Sequence, residues 1–293
     1  MLRQMRHMAR WGGLGLWLWE MDTRAAGAAG FVWMEKKRVV GNVSLRQASS
    51  PGGWMIGNVA VHPDWQGRGI GRALVDTAVN TAQEYGGAWV GLEVREDNAP
   101  ACQLYERIGF APVGSALDLS RSAGLPWPPA APSPLPLRRA NAADNAALYQ
   151  LAVEGLSQPL RELLEVRPAL YQAGWEARLN RWLEGCREGW WKLEEENRLV
   201  GALRTSSRFS LRWHTVEALV RQERLDDVGP RLIAAGLEIL SHRRPWEVTT
   251  MLPEPRQALE AALTAVGFRR ARCLVQMRLT LGRPVEIAAG ARG

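Results

Sequence analysis

Cysteine, lysine and long apolar runs are all scarce in this chain. Three cysteines in 293 residues (Cys102, Cys186, Cys273) make an odd count without close spacing. That excludes a disulfide-stapled scaffold, offers no cysteine metal cluster and fits a reducing cytoplasm. The four histidines are scattered: His7, His214 and His242 lack ligand spacing, and His62 sits at a strand-to-loop turn, so no metal is expected. Lysine occurs three times (Lys36, Lys37, Lys192) among 37 basic residues, and the arginines are dispersed. The net charge of +7 therefore does not gather into a phosphate-tracking stripe, and nucleic acid is not the expected partner. The apolar run Gly12 to Trp19 is eight residues long and ends in Glu20 and Asp22. It is too short to span a membrane and barely long enough for a secretory signal core. We read it as a core helix of a soluble protein, with no membrane partner.

What is present is enough apolar material, 46% of the residues, for two packed domains at roughly 100–200 residues each. Six prolines fall between Pro126 and Pro136, a density that no helix or central strand tolerates. The chain divides there into a first domain at 1–125, a stiff linker at 126–136 and a second domain at 137–293. The two flanks repeat one another. Gly30 to Gly41 matches Gly189 to Gly201, each a strand, charged turn and strand; Val61 to Gly71 matches Val220 to Gly229; Gly109-Phe110 matches Gly267-Phe268. The offsets are 160, 158 and 158, so the register holds across a whole domain. The second copy opens with a strand near Leu135 and a helix near Asn141. The same register leaves the first copy without that strand and much of that helix, and an uncovered sheet edge invites association, which leaves room for a homodimer.

The order within the first copy is legible. Phe31 to Glu35 and Val39 to Arg46 read as a hairpin, Trp54 to Val61 as a third strand, and Leu74, Val75, Ala78, Ala82 and Tyr85 as the apolar stripe of a helix. A strand at Ala88 to Val94 and a helix at Ala99 to Ile108 follow. The pattern is α/β, with at least one parallel pair. Between third strand and helix lies Gln66-Gly67-Arg68-Gly69-Ile70-Gly71. Its glycines permit positive φ, and its N–H groups converge at the positive end of a helix dipole, an arrangement that holds phosphate. The loop lacks the Lys-Ser/Thr ending of a P-loop and the spacing of a dinucleotide fingerprint. Alone it reads equally well as a tight turn.

The neighbouring motifs sharpen it. Asn58-Val59-Ala60-Val61-His62-Pro63 precedes the loop; Leu92-Glu93-Val94-Arg95 and then Asn98 to Phe110 (NAPACQLYERIGF) follow it. This span, Trp54 to Phe110, resembles the GNAT superfamily of N-acetyltransferases, and residues 30–120 fit the family's order of elements. The resemblance implies two tandem GNAT folds, each a mixed, mostly antiparallel sheet flanked by helices. It also implies acetyl-CoA as co-substrate, a primary amine (small amine or protein N-terminus) as acceptor, and no metal. Gln66, Gly67, Arg68, Gly69, Ile70, Gly71 and Arg72 would bind the pyrophosphate, while Val59 and Val61 line the pantetheine. Tyr105 would be the general acid, although Ala101, Leu104, Tyr105 and Ile108 also form one core-like stripe. Asn98 would contact the pantetheine, cap the helix before Pro100, or do both. The Leu-Glu-Val-Arg and Leu-Tyr-Glu runs are similar to those of ribosomal-protein alanine N-acetyltransferases, which implies Glu93 as general base. The alternative for Glu93 is a structural pairing with an arginine. Many relatives place a glutamate where this chain has Asn58. In the second copy, Gln222 to Gly229 (QERLDDVG) carries Asp226 and Asp227, which would repel a pyrophosphate, and Leu263 stands at the tyrosine position. That copy reads as a degenerate GNAT-like domain, with Trp190, Trp191, Trp213 and Trp246 either core or lining a surface.

Overall fold

The computed structural model describes residues 29–128, 135–254 and 257–282. The apolar run at 12–19 and the middle of the proline segment lie outside the described residues. The local elements arise where the patterns place them. β1 (Ala29–Glu35) and β2 (Arg38–Gln47) form a hairpin, closed by Lys36 and Lys37 with φ of 44° and 65°. Two consecutive left-handed residues are the signature of the turn whose twist suits a two-residue hairpin. β3 (Gly53–Val61) pairs antiparallel with β2, and helix α1 (Ile70–Glu84) buries Ile70, Leu74, Val75, Ala78 and Ala82 along one stripe. β4 (Trp89–Arg95) then runs parallel to β3, and helix α2 (Ala99–Ile108) follows.

The second copy repeats this plan. After β5 (Ala111–Arg121) come the short edge strand β6 (Arg138–Arg139), helices α3 (Asn145–Val153), α4 (Gln158–Leu163) and α5 (Trp175–Leu183), and the hairpin β7 (Cys186–Glu195) with β8 (Arg198–Arg208). Its turn residues, Glu196 and Asn197, are also left-handed, at 49° and 64°. The irregularity between Trp33 and Met34 in the first hairpin recurs between Leu193 and Glu194, 160 residues on, the offset read from the sequence. β9 (Trp213–Val220), α6 (Leu225–Ser241), β10 (Glu247–Pro253), α7 (Gln257–Ala265) and β11 (Arg269–Thr280) complete the copy.

The compact units do not follow the division at 125 and 137. One draws its described residues from 29–93, 103–111 and 277–282, the other from 94–102 and 112–276. In the first unit β1, β2, β3 and β4 lie in that order, and the end of β11 lies beside β4. There the Leu281 N–H donates to the Ala88 carbonyl at 2.9 Å, and the Arg278 guanidinium sits 4.6 Å over the Trp89 ring. In the second unit the order is β11, β5, β10, β9, β8, β7, β6. β5, which follows the first copy in sequence, pairs antiparallel with β10 from Val248↔Arg121 to Pro253↔Ala116. Arg272 Nε donates to Asp118 on its other side at 2.5 Å. Each unit is thus completed by the last strand of the other copy. Strand patterning sets which face is buried but not which strand is the neighbour, so this exchange was invisible in the sequence. The linker's near end is also packed: buried Arg121 donates to the Val266 carbonyl at 2.8 Å, and Trp127 rests on the second unit's core.

Candidate active site

In the first unit the ladder between β3 and β4 is short. It runs from Gly53↔Trp89 to Ile56↔Leu92 and stops. The cause lies on the other edge of β3. Asn42 faces Ala60 and Ser44 faces Gly57, so Asn58 and Val59 together oppose Val43, which is a β-bulge. Asn58 sits at φ 51°, a conformation asparagine tolerates better than branched residues. It is fixed there by Asn42 Nδ2 donating to its carbonyl (2.5 Å) and by its own Nδ2 donating to Ser44 Oγ (3.2 Å). Gly53 to Ile56 are buried, whereas residues 57–61 alternate between half-buried and exposed. Bulge and splay open a crevice at the carboxyl ends of two parallel strands, the usual ligand position in open α/β sheets.

The glycine loop closes one side of this crevice. Pro63–Trp65 form a single 3-10 turn, capped by His62 Nδ1 accepting from the Asp64 N–H. Gln66 Nε2 donates back to the Val61 carbonyl at 3.0 Å. Gly67 and Gly69 are left-handed, at 74° and 78°, and a Cβ on either would point into open space. Gly69 is the N-cap of α1, no side chain caps the helix, and its first turn holds no acidic residue. The N–H groups of that turn have no intrahelical partner, and they stand at the positive end of the helix dipole.

Gly71 differs from the expectation of a third positive-φ glycine. It lies inside the first turn of α1, and a Cβ there would meet Leu104 Cδ2 at 3.5 Å and Val61 Cγ2 at 3.7 Å. Both are ordinary van der Waals distances, so the surroundings of this position do not themselves demand glycine. Around this position the end of β3, the start of α1 and helix α2 converge, with Val61 ten residues before Gly71 in sequence and Leu104 thirty-three after it. The expected cations are present but occupied. Arg68 lies 4.5 Å over the Trp65 ring and donates to the Asp64 carbonyl at 3.0 Å, and Arg72 faces Asp76 at 3.4 Å.

Tyr105 is buried, with its ring edge-on to Phe110 at 6.0 Å, next to the Leu104 that reaches Gly71. Glu93 is exposed, the first residue after the β3–β4 ladder ends. It therefore does not carry the burial cost that an interior strand implies, because the strands have already parted. Asn98 stands one residue before α2, and its Oδ1 accepts from the Ala101 N–H at 3.3 Å, a cap. Among the described residues no three metal-ligating side chains gather, and no helix is long and apolar enough to cross a membrane.

In the second copy's equivalent region, acidic and basic side chains of the chain pair with one another. The Gln222 N–H donates to Glu154 Oε1 at 3.3 Å, and Arg221 binds the same carboxylate at 3.0 Å. Arg224, the N-cap of α6, clasps Asp227 at 2.7 Å and also pairs with Glu195. Asp226 and Asp227 stand in the first turn. Hydrogen bonding to Arg224 holds the Asp227 carboxyl below its ordinary range. Gly229 is a helix residue, and a Cβ there would meet Leu259 Cδ1 at 3.1 Å. Sequence alone flagged the two aspartates but not Glu154, which comes from a distant helix end and carries no local signal. Trp190 and Trp191 are core.

Residues 2–110 match the acetyltransferase (GNAT) family. This region is similar to the GNAT family. The GNAT region is 47% identical over 53 residues to the ribosomal protein bS18-alanine N-acetyltransferase of Escherichia coli (strain K12), a match covering 18% of this chain and 36% of that enzyme. It is 48% identical over 52 residues to the mycothiol acetyltransferase of Thermobifida fusca, covering 18% of this chain and 16% of that one. The chain thus spans about a third or less of these relatives' length. Whole-chain similarity is seen with the tandem GNAT protein from the clavulanic acid biosynthesis pathway (TM-score 0.58, 21% identity, 89% of this chain and 86% of that one). A GCN5-related N-acetyltransferase from Sphaerobacter thermophilus gives TM-score 0.64 at 16% identity over 92% and 86%. The chain is two tandem GNAT folds.

Proposed function

We propose that the chain is an acetyl-CoA-dependent N-acetyltransferase, with its one site in the first copy and a primary amine as acceptor. The convergence at Gly71 carries this reading: it joins strand end, uncapped helix start and tyrosine-bearing helix around one crevice. The first-turn N–H groups of α1 with Gln66, Gly67, Arg68, Gly69, Ile70, Gly71 and Arg72 suit a pyrophosphate, since a Cβ at Gly67 or Gly69 would occupy the space above the loop. Val59 and Val61 present backbone groups along the crevice, where preorganised donors oppose charge that grows on a thioester carbonyl. Holding thioester and amine together supplies much of the remaining rate. Glu93 takes the proton from the amine, and Tyr105, a phenol of pKa near 10 in water, protonates the leaving thiolate. Asn98 caps α2 and so sets the helix that carries the tyrosine. The alanine-acetyltransferase-like motifs favour a protein N-terminus as acceptor. Three free cysteines suit a cytoplasmic protein.

Asn58, standing where many relatives have a glutamate, favours a second reading: an idle acyl-CoA-binding module. Thiol release from acetyl-CoA across a panel of amines and N-terminal peptides separates the two, because the idle module binds and does not turn over. Tyr105→Phe is expected to cut release by roughly 10²–10⁴-fold with acetyl-CoA affinity retained. Turnover unchanged in that variant would remove the tyrosine from the mechanism.

A further inference from the structure

The second unit holds a pocket that acetyl transfer leaves unused. Its cavity of about 480 Å³ is lined by Arg139 of β6, Arg178 of α5, Arg187 of β7 and Arg243 just past α6, with Trp175 and Trp182 at its mouth. That volume falls in the range of small-molecule sites. α6 runs 17 residues before reaching this end, so at 1.5 Å per residue the pocket lies roughly 25 Å from the degenerate glycine loop.

Its charge is uncompensated. The carboxylate on its wall, Glu188, is already saturated: Oε2 receives Arg181 and Arg204, each at 2.8 Å, and Oε1 receives the Trp190 indole N–H at 3.0 Å. Among the described residues no carboxylate pairs with any of the four pocket arginines, while Arg204 and Arg181 account for Glu188 and Glu217. Burial, with Arg187 and Arg139 alongside, pushes the Arg243 guanidinium down to about 10. Burial, then Arg178 and Arg187, shift Arg139 the same way. Folding has gathered like charges at a cost that an anion would offset.

Two of the forks are also held in place. Arg243 Nη1 donates to Ser207 Oγ at 2.6 Å, Ser207 is bonded to His214 Nδ1 at 2.7 Å, and His214 Nε2 meets the Arg244 carbonyl at 2.8 Å. Arg139 is stacked 4.1 Å over the Trp191 ring. Beside them Trp175 and Trp182, one face of α5 at i and i+7, remain 70% and 60% exposed. Guanidinium forks match carboxylate and phosphate oxygens, and exposed indoles offer a stacking surface for a ring.

We propose that this pocket binds a small, multiply charged anion with a flat apolar body, its acidic groups on Arg139, Arg178, Arg187 and Arg243 and its ring against Trp175 and Trp182. Titration calorimetry of the full chain at low salt with benzene-1,3,5-tricarboxylate, 1-naphthyl phosphate and inorganic pyrophosphate tests it. The first two distinguish a carboxylate from a phosphate source, and at least one is expected to bind about tenfold more tightly than pyrophosphate, the stacking contribution. Losing two charge-assisted forks in Arg187→Gln/Arg243→Gln is expected to weaken it about 10–100-fold, and Trp182→Ala about 3–10-fold. Gly69→Val is expected to leave it unchanged. Because Arg187 is exposed, Arg187→Gln alone carries the test should the double variant not fold. Absence of binding by all three probes, or affinity unmoved by the arginine substitutions, overturns the proposal.

Discussion

At Ile70 a helix begins on a left-handed glycine, uncapped, with no carboxylate in its first turn. At Leu225 the corresponding helix begins on Arg224, with Asp226 and Asp227 in that turn and Glu154 already on the Gln222 N–H. Both helices pack through a glycine against a leucine of the next helix, Gly71 on Leu104 and Gly229 on Leu259. What the copies share is the packing geometry and a helix start without a side-chain cap; what separates them is the charge there, with no acidic residue in one first turn and two in the other. Carboxylates in a first turn oppose a bound anion, and a first turn without them suits one. The packing glycine and the charges of the helix start are different residues, so one can be kept while the other changes.

Substitutions can break this contrast, beginning with the largest effect. Gly69→Val forces a branched residue to φ 78° and fills the space over the loop. Acetyl-CoA affinity is expected to fall more than about 100-fold, a loss of left-handed backbone and anion cradle together, read by calorimetry. Gly229→Val places methyl groups against Leu259 and is expected to cost about 1–3 kcal/mol of stability by overpacking, read by urea unfolding. The acetyl-CoA affinity of the folded variant is expected to stay the same. Equal loss of binding in both variants would mean that the copies do not differ as described. Asp227→Asn has the smallest effect. Its carboxyl is depressed in the fold, so its stabilisation is full at neutral pH and lost as pH falls through the folded pKa. Melting curves from pH 7 down to pH 3 are expected to converge for variant and parent at the acid end, with a small gap at neutrality because the pair is exposed.

Much of the fold was legible. The helix at Ala99–Ile108 and the buried stripe of α1 follow from apolar spacing, except that Tyr85, expected on the stripe, is the exposed C-cap of α1, and the hairpin recurs in both copies because two turn positions each accept left-handed residues. The glycine loop and its neighbours marked the candidate site. Three features were not legible, for different physical reasons. The Asn58 bulge depends on a count of residues on the opposing strand. The exposure of Glu93 depends on where a ladder ends. The arginine pocket is assembled from β6, α5, β7 and the end of α6, so its four residues are dispersed in sequence and read as background charge. Spacing also does not separate the left-handed Gly67 and Gly69 from Gly71, which lies inside the helix.

The exchanged final strands tie the two repeats together as units of inheritance. Residues 111–121 find their ladder among strands encoded more than a hundred positions later, and residue 281 bonds back to residue 88. A gene split in the proline segment would encode one product ending in a strand with no sheet to enter, and another missing the strand its own sheet is built around. Deleting either repeat would take from the other's sheet a strand that it pairs with.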